Sequence, residues 1–290
     1  MPRTAQALQS NNPMYTAHIF RESVRLVLLH PTHFHSISVF LFSPLPISLL
    51  ISHFLIHHFP QIPTSTIEFT RNLLGNSLPI IHAKSIVHII ICTPSSLTFS
   101  ILGRAATVQA VSDSYKGINL DGRRLLLRSG LAWIKLLHTS FCEFVIVFGL
   151  FGVMAACLSI VPKILFACGI HLEMLGRWGV LGCLGVPFCV AFAHVMVVGN
   201  LARVLSVIES ECYGFESLSK ANSLIKGKRQ TALVMALWSN MGLGLVERLF
   251  DFKMCNGIGV WEGPLLVSMY ASVLVFDTIM NAVFYFACKH

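Results

Sequence analysis

Apolar residues in this chain gather into long runs separated by polar, charge-bearing segments. That pattern predicts six membrane-spanning helices, at roughly 36–56, 85–103, 136–161, 179–202, 231–246 and 264–287. The cleanest run, Gly179 to Ala202, holds only His194, Cys183 and Cys189 as ionisable groups. About 20 apolar residues in a helix match roughly 30 Å of hydrocarbon. The fifth run is short, so it is expected to extend at one end or to thin the bilayer locally. Pro44 and Pro46 in the first run, Pro94 in the second and Pro187 in the fourth predict kinks, which membrane helices tolerate because neighbouring groups satisfy the freed carbonyls. The fold class is therefore all-α, a polytopic membrane protein with six transmembrane helices. Residues 1–35 are read as a cytosolic N-terminal arm with an amphipathic segment, and 36–290 as a single six-span membrane domain. No cleavable leader is expected: the first 35 residues mix polar and apolar positions, and the run beginning near Ser36 is expected to act as an uncleaved signal anchor.

Short basic segments precede each pair of runs at a spacing of roughly 97 residues. The first is Phe20-Arg21-Glu22-Ser23-Val24-Arg25-Leu26, and the second is Leu120-Asp121-Gly122-Arg123-Arg124-Leu125-Leu126-Leu127-Arg128. The third runs from Phe215-Glu216-Ser217-Leu218-Ser219-Lys220 to Leu224-Ile225-Lys226-Gly227-Lys228. In the third, Phe215, Leu218, Asn222 and Ile225 share one face at helical spacing, as in a helix lying in the membrane interface with its lysines at the headgroups. The chain thus reads as three repeats of an amphipathic elbow helix plus a two-helix hairpin. The plainer alternative is that any loop feeding a span looks basic and amphipathic.

Composition agrees with burial in lipid. Of 290 residues, 54% are hydrophobic and only 12% charged, against about 25% charged in a soluble domain. The net charge of +8 is read as basic cytosolic loops beside anionic lipid rather than as a nucleic-acid surface. Of the 21 lysines and arginines, fifteen fall in the N-terminal arm, the even-numbered loops and the tail, and six in the other loops. The positive-inside rule then places both termini in the cytosol. Arg21, Arg25, Arg123, Arg124, Arg128, Lys220, Lys226, Lys228 and Arg229 become candidate contacts for lipid headgroups.

At these same segments the chain resembles a family of plant multi-span membrane proteins of unknown function. The matching stretches are Glu22-Ser23-Val24 through Pro31-Thr32-His33-Phe34, and Ala105-Ala106-Thr107-Val108 through Val111-Ser112-Asp113-Ser114-Tyr115-Lys116-Gly117. They continue with Ser217-Leu218-Ser219-Lys220 through Leu224-Ile225-Lys226-Gly227-Lys228, then Val283-Phe284-Tyr285-Phe286-Ala287-Cys288-Lys289. The resemblance covers nearly the whole chain, supports the topology and implies no catalytic residues. The expected setting is an endomembrane or the plasma membrane.

Candidate chemistry is sparse. The histidines of His30-Pro31-Thr32-His33-Phe34-His35 and His53-Phe54-Leu55-Ile56-His57-His58 resemble metal clusters, but they sit at opposite ends of span one, about 20 residues or ~30 Å apart. His171, His194 and His290 are too isolated to complete a di-iron site, so no metal and no cofactor are assigned. Nine cysteines show no CxxC pair; Cys168 and Cys255 are candidates for one disulfide, and Cys212 and Cys288 for palmitoylation. Gly176, Gly179, Gly182 and Gly185 form a small-residue packing stripe rather than a phosphate loop. No nucleotide-binding, kinase, nucleophile-elbow or zinc motif occurs, and Asp113, Asp121, Glu209 and Glu211 stand in loops without one.

Ionisable residues inside the runs carry more weight, since a charge at a helix centre costs about 2.5–3.5 kcal/mol on insertion scales and needs a partner or a cavity. Asp277, Glu143, His194 and Asn281 are the candidate intramembrane polar residues, with Asn200 and Asn240 as further hydrogen-bonding groups. Two readings follow. One is a non-enzymatic structural, adaptor or lipid-organising protein whose partner is a bilayer with anionic cytosolic headgroups. The other is a small transporter or channel using Asp277. Phosphorylation of an elbow at Ser219 or Ser223 is expected to add negative charge and release it from such lipids.

Overall fold

A computed structural model describes residues 14–48, 50, 80–118, 121–167, 174–209, 211–256 and 261–289, and every regular element among them is helical. In chain order these are α1 (Met14–Leu29), α2 (Pro31–Ile37, continuing through a π turn at Ser38–Phe42), α3 (Ile80–Lys116), α4 (Gly122–Ala167), α5 (Met174–Ile208), α6 (Phe215–Ile225), α7 (Arg229–Asn256) and α8 (Glu262–Lys289). The expected runs fall inside them: 85–103 in α3, 136–161 in α4, 179–202 in α5, 231–246 in α7 and 264–287 in α8. Among the described residues four helical stretches, Gly122–Val161, Gly182–Ile208, Arg229–Lys253 and Glu262–Lys289, are long and apolar enough to cross a membrane. A fifth is added if the bent pair Thr16–Leu29 and Pro31–Ser48 is one span. The second half of the expected first span, with His53, His57 and His58, lies outside the described residues, as do Arg71, Cys168 and the side chain of Cys255.

The chain groups into two units. One comprises Ser23–Gly130 and Trp238–Ile279. At its start the chain turns by 94° at His30, where Pro31 occupies the first turn of α2 and so needs no helical N–H donor. A proline inside a helix disrupts the preceding turn. The backbone widens just before Pro44, with Ser43 N–H donating to Ser38 C=O at 3.1 Å. Phe42, fully buried, packs over Gly103 of α3: a Cβ there would come within 2.8 Å of the Phe42 ring. Ala105, Ala106 and Ala110 extend this small-residue strip, all with no exposed surface. α3 ends in a Schellman motif: Gly117 takes φ +67, its N–H donates to Ser114 C=O and the Ile118 N–H to Asp113 C=O. Asp121 then caps α4 by accepting from the Arg123 N–H. Farther on, Lys253 near the end of α7 pairs with Glu262 at the start of α8 at 2.6 Å.

One feature here departs from expectation. The basic segment Leu120–Arg128 is no separate elbow: helix begins at Gly122 and runs unbroken for 46 residues, because no Gly-Pro or capping signal interrupts it before span three. At 1.5 Å per residue α4 is ~69 Å long, more than a bilayer with its headgroups, so its basic first turns and its apolar remainder cannot share one environment.

The other unit comprises Met1–Glu22, Leu131–Leu237 and Met280–His290. Here α4 and α5 form a hairpin, with Phe151 in edge contact with Phe188 (5.2 Å between centroids) and Phe192 (5.8 Å). Phe141, Phe144, Phe148 and Phe151 on α4 remain exposed, and none of α4's apolar window is buried. In α8, by contrast, Ala282, Val283, Phe284 and Tyr285 are buried. The helix α6 packs on α5. Its buried stripe is Ser217, Leu218, Ala221 and Ile225, so Phe215 and Asn222 of the expected apolar face are exposed. Small Ser217 and Ala221 let the helices approach, and Ser217 Oγ donates to the Ala202 carbonyl at 3.0 Å.

Candidate functional site

Two acids within the described helices, Glu143 and Asp277, have partners on a neighbouring helix. Glu143 is 7% exposed and faces α5 at Gly199, where any Cβ would collide with its carboxylate. One turn along α5, Arg203 places Nε 3.5 Å from Glu143 Oε2, a charge contact without hydrogen-bond alignment, and donates from Nη2 to Asn200 Oδ1. Arg203 was expected in the loop after span four. It lies instead inside α5, five residues before its end, because the helical ladder continues past the point where hydropathy falls.

Asp277 of α8, 5% exposed, accepts a hydrogen bond from Ser239 Oγ of α7. His194 of α5 lies 3.2 Å from Asn222 of α6 through Nε2 and Oδ1. Asn281 is half-buried in α8 and engaged with a neighbouring group. The four polar residues singled out inside the runs are therefore distributed over separate contacts. Asn240 is exposed on α7.

The densest polar cluster lies where α5, α6 and α8 end or begin. Gly214 starts α6 at φ +65, and its N–H donates to Thr139 Oγ1 of α4 at 2.9 Å. A side chain there would also strike His138. Just past α5, Glu209 receives three donors: Lys220 Nζ of α6 at 2.5 Å on Oε2, and Tyr285 O–H at 3.0 Å and Lys289 Nζ at 3.3 Å, both of α8, on Oε1. Lys289 Nζ also donates to Tyr285 Oη at 3.2 Å and sits 5.7 Å from that ring's centroid. The Lys220 hydrogen bond, reinforced by those from Tyr285 and Lys289 against the opposing effect of burial, lowers the Glu209 carboxyl to about 2. Lys220 is raised in turn, mainly by its bond to Glu209. Cys212, beside them, is raised by burial; its Sγ is 3.7 Å from Glu216 Oε1 and 3.6 Å from Lys220 Nζ.

The nine candidate headgroup contacts divide accordingly. Lys220 is held by Glu209, and Lys228 Nζ donates to the Ala287 carbonyl at 2.7 Å. Arg128 faces Asp113 and Arg124 faces Asp121, each at 3.5 Å. Arg21, Arg25, Arg123, Lys226 and Arg229 are exposed. The role of Glu209 escaped sequence reasoning because its partners lie 11, 76 and 80 residues away. Its one signal was that Lys220 and the Tyr285–Lys289 stretch stand out together in the family resemblance. His30 and His33 rings are 6.4 Å apart. Among the described residues no three His, Cys, Asp or Glu side chains are grouped to hold a metal ion.

These features define the class: an all-helical protein carrying several helices long and apolar enough to cross a membrane. The chain belongs to the family described as Domain of unknown function (DUF8558), whose profile matches residues 1–290. No curated protein and no solved structure matches it.

Proposed function

We propose that this is a non-enzymatic membrane protein that organises lipid or anchors partners at the cytosolic face of plant membranes. In this reading six helices cross the bilayer as three hairpin repeats, each preceded by a basic segment that in the second repeat is the first turns of α4 rather than a separate elbow, and both termini are cytosolic. Its basic elbows meet anionic headgroups. The observation that carries the reading is the partition of charge. Glu143, within the membrane-length stretch of α4, is paired with Arg203 and Asp277 of α8 is bonded by Ser239, while Lys226 and Arg229 beside α6, and Arg21 on α1, are exposed. Charges paired within the helices support packing, and exposed cations next to exposed apolar residues such as Phe215 and Phe20 suit a headgroup boundary.

The test is the selectivity of the reconstituted full chain for spin-labelled anionic over zwitterionic lipid. Selectivity is expected, and Lys226→Gln with Arg229→Gln is expected to weaken it, each lysine or arginine near an anionic surface being worth roughly fivefold in association. Equal association of both lipids would end this reading.

One observation favours a transporter as the second reading: Asp277 is a buried acid whose bond to Ser239 joins two helices within their apolar windows. Flux through proteoliposomes, abolished by Asp277→Asn, is its signature.

A further inference from the structure

The donors around Glu209 make an unusual set for one carboxylate. Two ammonium groups and a phenol, supplied by α6 and α8, converge on it from within 3.3 Å. Glu209 alone balances one of the two ammonium groups, Glu216 reaches only Cys212 at the edge of the cluster, and exposed Lys226 and Arg229 lie a short way along the chain from Lys220. The pairing is also reachable: the side chains of Lys220 and Lys289 are 45% and 53% exposed. The cluster stands just past Ile208, where the membrane-length stretch of α5 ends, and at Lys289, where that of α8 ends.

Two lysines and a hydroxyl converging on one anion are also donors that a phosphate takes, lysine serving it as a point-charge partner. A phosphate monoester carries about 1.5 to 2 negative charges at neutral pH and three acceptor oxygens, so it satisfies both ammonium groups more fully than one carboxylate. A phosphodiester, with a single charge, does not. Glu209 remains ionised at any physiological pH, since its carboxyl is lowered to about 2, so it competes as an anion and is not released by mild acid.

We propose that Glu209 is the resident occupant of a phosphate-monoester site formed by Lys220, Lys289 and Tyr285, and that a lipid headgroup ending in a phosphate monoester displaces it. The proposal rests on the reading that the elbow cations meet anionic lipid, and it names the headgroup class. Displacement removes the Lys220–Glu209 bond that ties α6 to the end of α5, which makes the elbow responsive to the lipid.

The experiment uses the full chain in phosphatidylcholine vesicles, with spin-labelled phosphatidic acid compared with spin-labelled phosphatidylglycerol at matched surface charge. Phosphatidic acid is expected to associate more strongly. Glu209→Gln is expected to raise that association roughly fivefold by removing the internal competitor, and Lys220→Gln with Lys289→Gln to lower it to the phosphatidylglycerol level. An unchanged or weaker association in Glu209→Gln, or equal binding of the two lipids by the unmodified protein, overturns the proposal. Should that variant fail to fold, hydrogen exchange of residues 215–225 in the unmodified protein decides: faster exchange in phosphatidic acid than in phosphatidylglycerol supports the proposal, and equal exchange refutes it. Displacement of the labelled lipid by millimolar inorganic phosphate would make free phosphate the ligand and refute the lipid source. A protein with no preference for any anionic lipid, unaltered by Lys226→Gln and Arg229→Gln, fails the parent reading. One that prefers anionic lipid without discriminating monoester from diester fails only this inference.

Discussion

Arg203 of α5 and Glu143 of α4 form an ion pair between two apolar helices, with Nε 3.5 Å from Oε2 and side chains 19% and 9% exposed. Two charges at this depth are tolerable only together. Removing one partner of a buried pair costs about 3–5 kcal/mol because the other charge is left uncompensated, whereas removing both is close to neutral. Glu143→Gln is therefore expected to lower thermal stability in detergent markedly, as is Arg203→Met. The double variant should recover most of the loss. Additive losses in the double variant, measured by thermal unfolding, would show that the two charges do not interact.

Close packing of α2 on α3 depends on Gly103 beneath Phe42. A Cβ 2.8 Å from the ring overfills the contact, and overpacking costs about 1–3 kcal/mol. Gly103→Ala should lower the melting temperature, and Phe42→Leu in the same chain should restore part of it. A melting temperature unaffected by Gly103→Ala would contradict this packing.

The bond from Ser239 to Asp277 links α7 to α8. A buried hydrogen bond of this kind contributes about 1 kcal/mol, and more is lost where an acceptor is left unsatisfied. Ser239→Ala should destabilise the protein by that order. Asp277→Asn, which keeps an acceptor for Ser239, should be milder, and should change no flux if the structural reading holds. Loss of a measurable flux in Asp277→Asn would favour transport.

Glu209 sets a pH window for the elbow. Its carboxyl is lowered from 4.5 to about 2 in the folded protein, chiefly by Lys220. A lowered carboxyl contributes stability that is present above the unfolded value and lost as pH falls through the folded one. The contact between α6 and α5 should thus hold from neutrality down to about pH 4.5 and loosen between there and about 2. Hydrogen exchange over 215–225, corrected for the intrinsic exchange rate at each pH, checks this. Loosening already at pH 6 would assign the elbow's stability to another group.

The helices that cross apolar windows were legible because their signal is local. Gly179–Ala202 announces itself in a single stretch, and α5 contains it. Helix ends were less so. Hydropathy falls at the first charges, but intrahelical hydrogen bonds do not, so α4 begins at Gly122 rather than near 136 and α5 carries Arg203 inside it. Glu143 was singled out as a buried acid, yet its partner was hidden, since Arg203 looked like one more loop cation. The Glu209 cluster is tertiary. Nothing in the spacing of Glu209, Lys220, Tyr285 and Lys289 brings them together; the packing of α6 on α5 and the course of α8 do. The buried face of α6 shows the same limit: periodicity favoured large Phe215, whereas small Ser217 and Ala221 set the contact.

Lipid analysis of the full chain, extracted with its surrounding membrane in polymer nanodiscs, reads its headgroup selectivity without added probes. Anionic lipids, phosphate monoesters foremost, are expected to be enriched around the protein relative to the bulk membrane. That enrichment should fall with Lys226→Gln and Arg229→Gln. A lipid shell of bulk composition, unchanged by those substitutions, would contradict that selectivity.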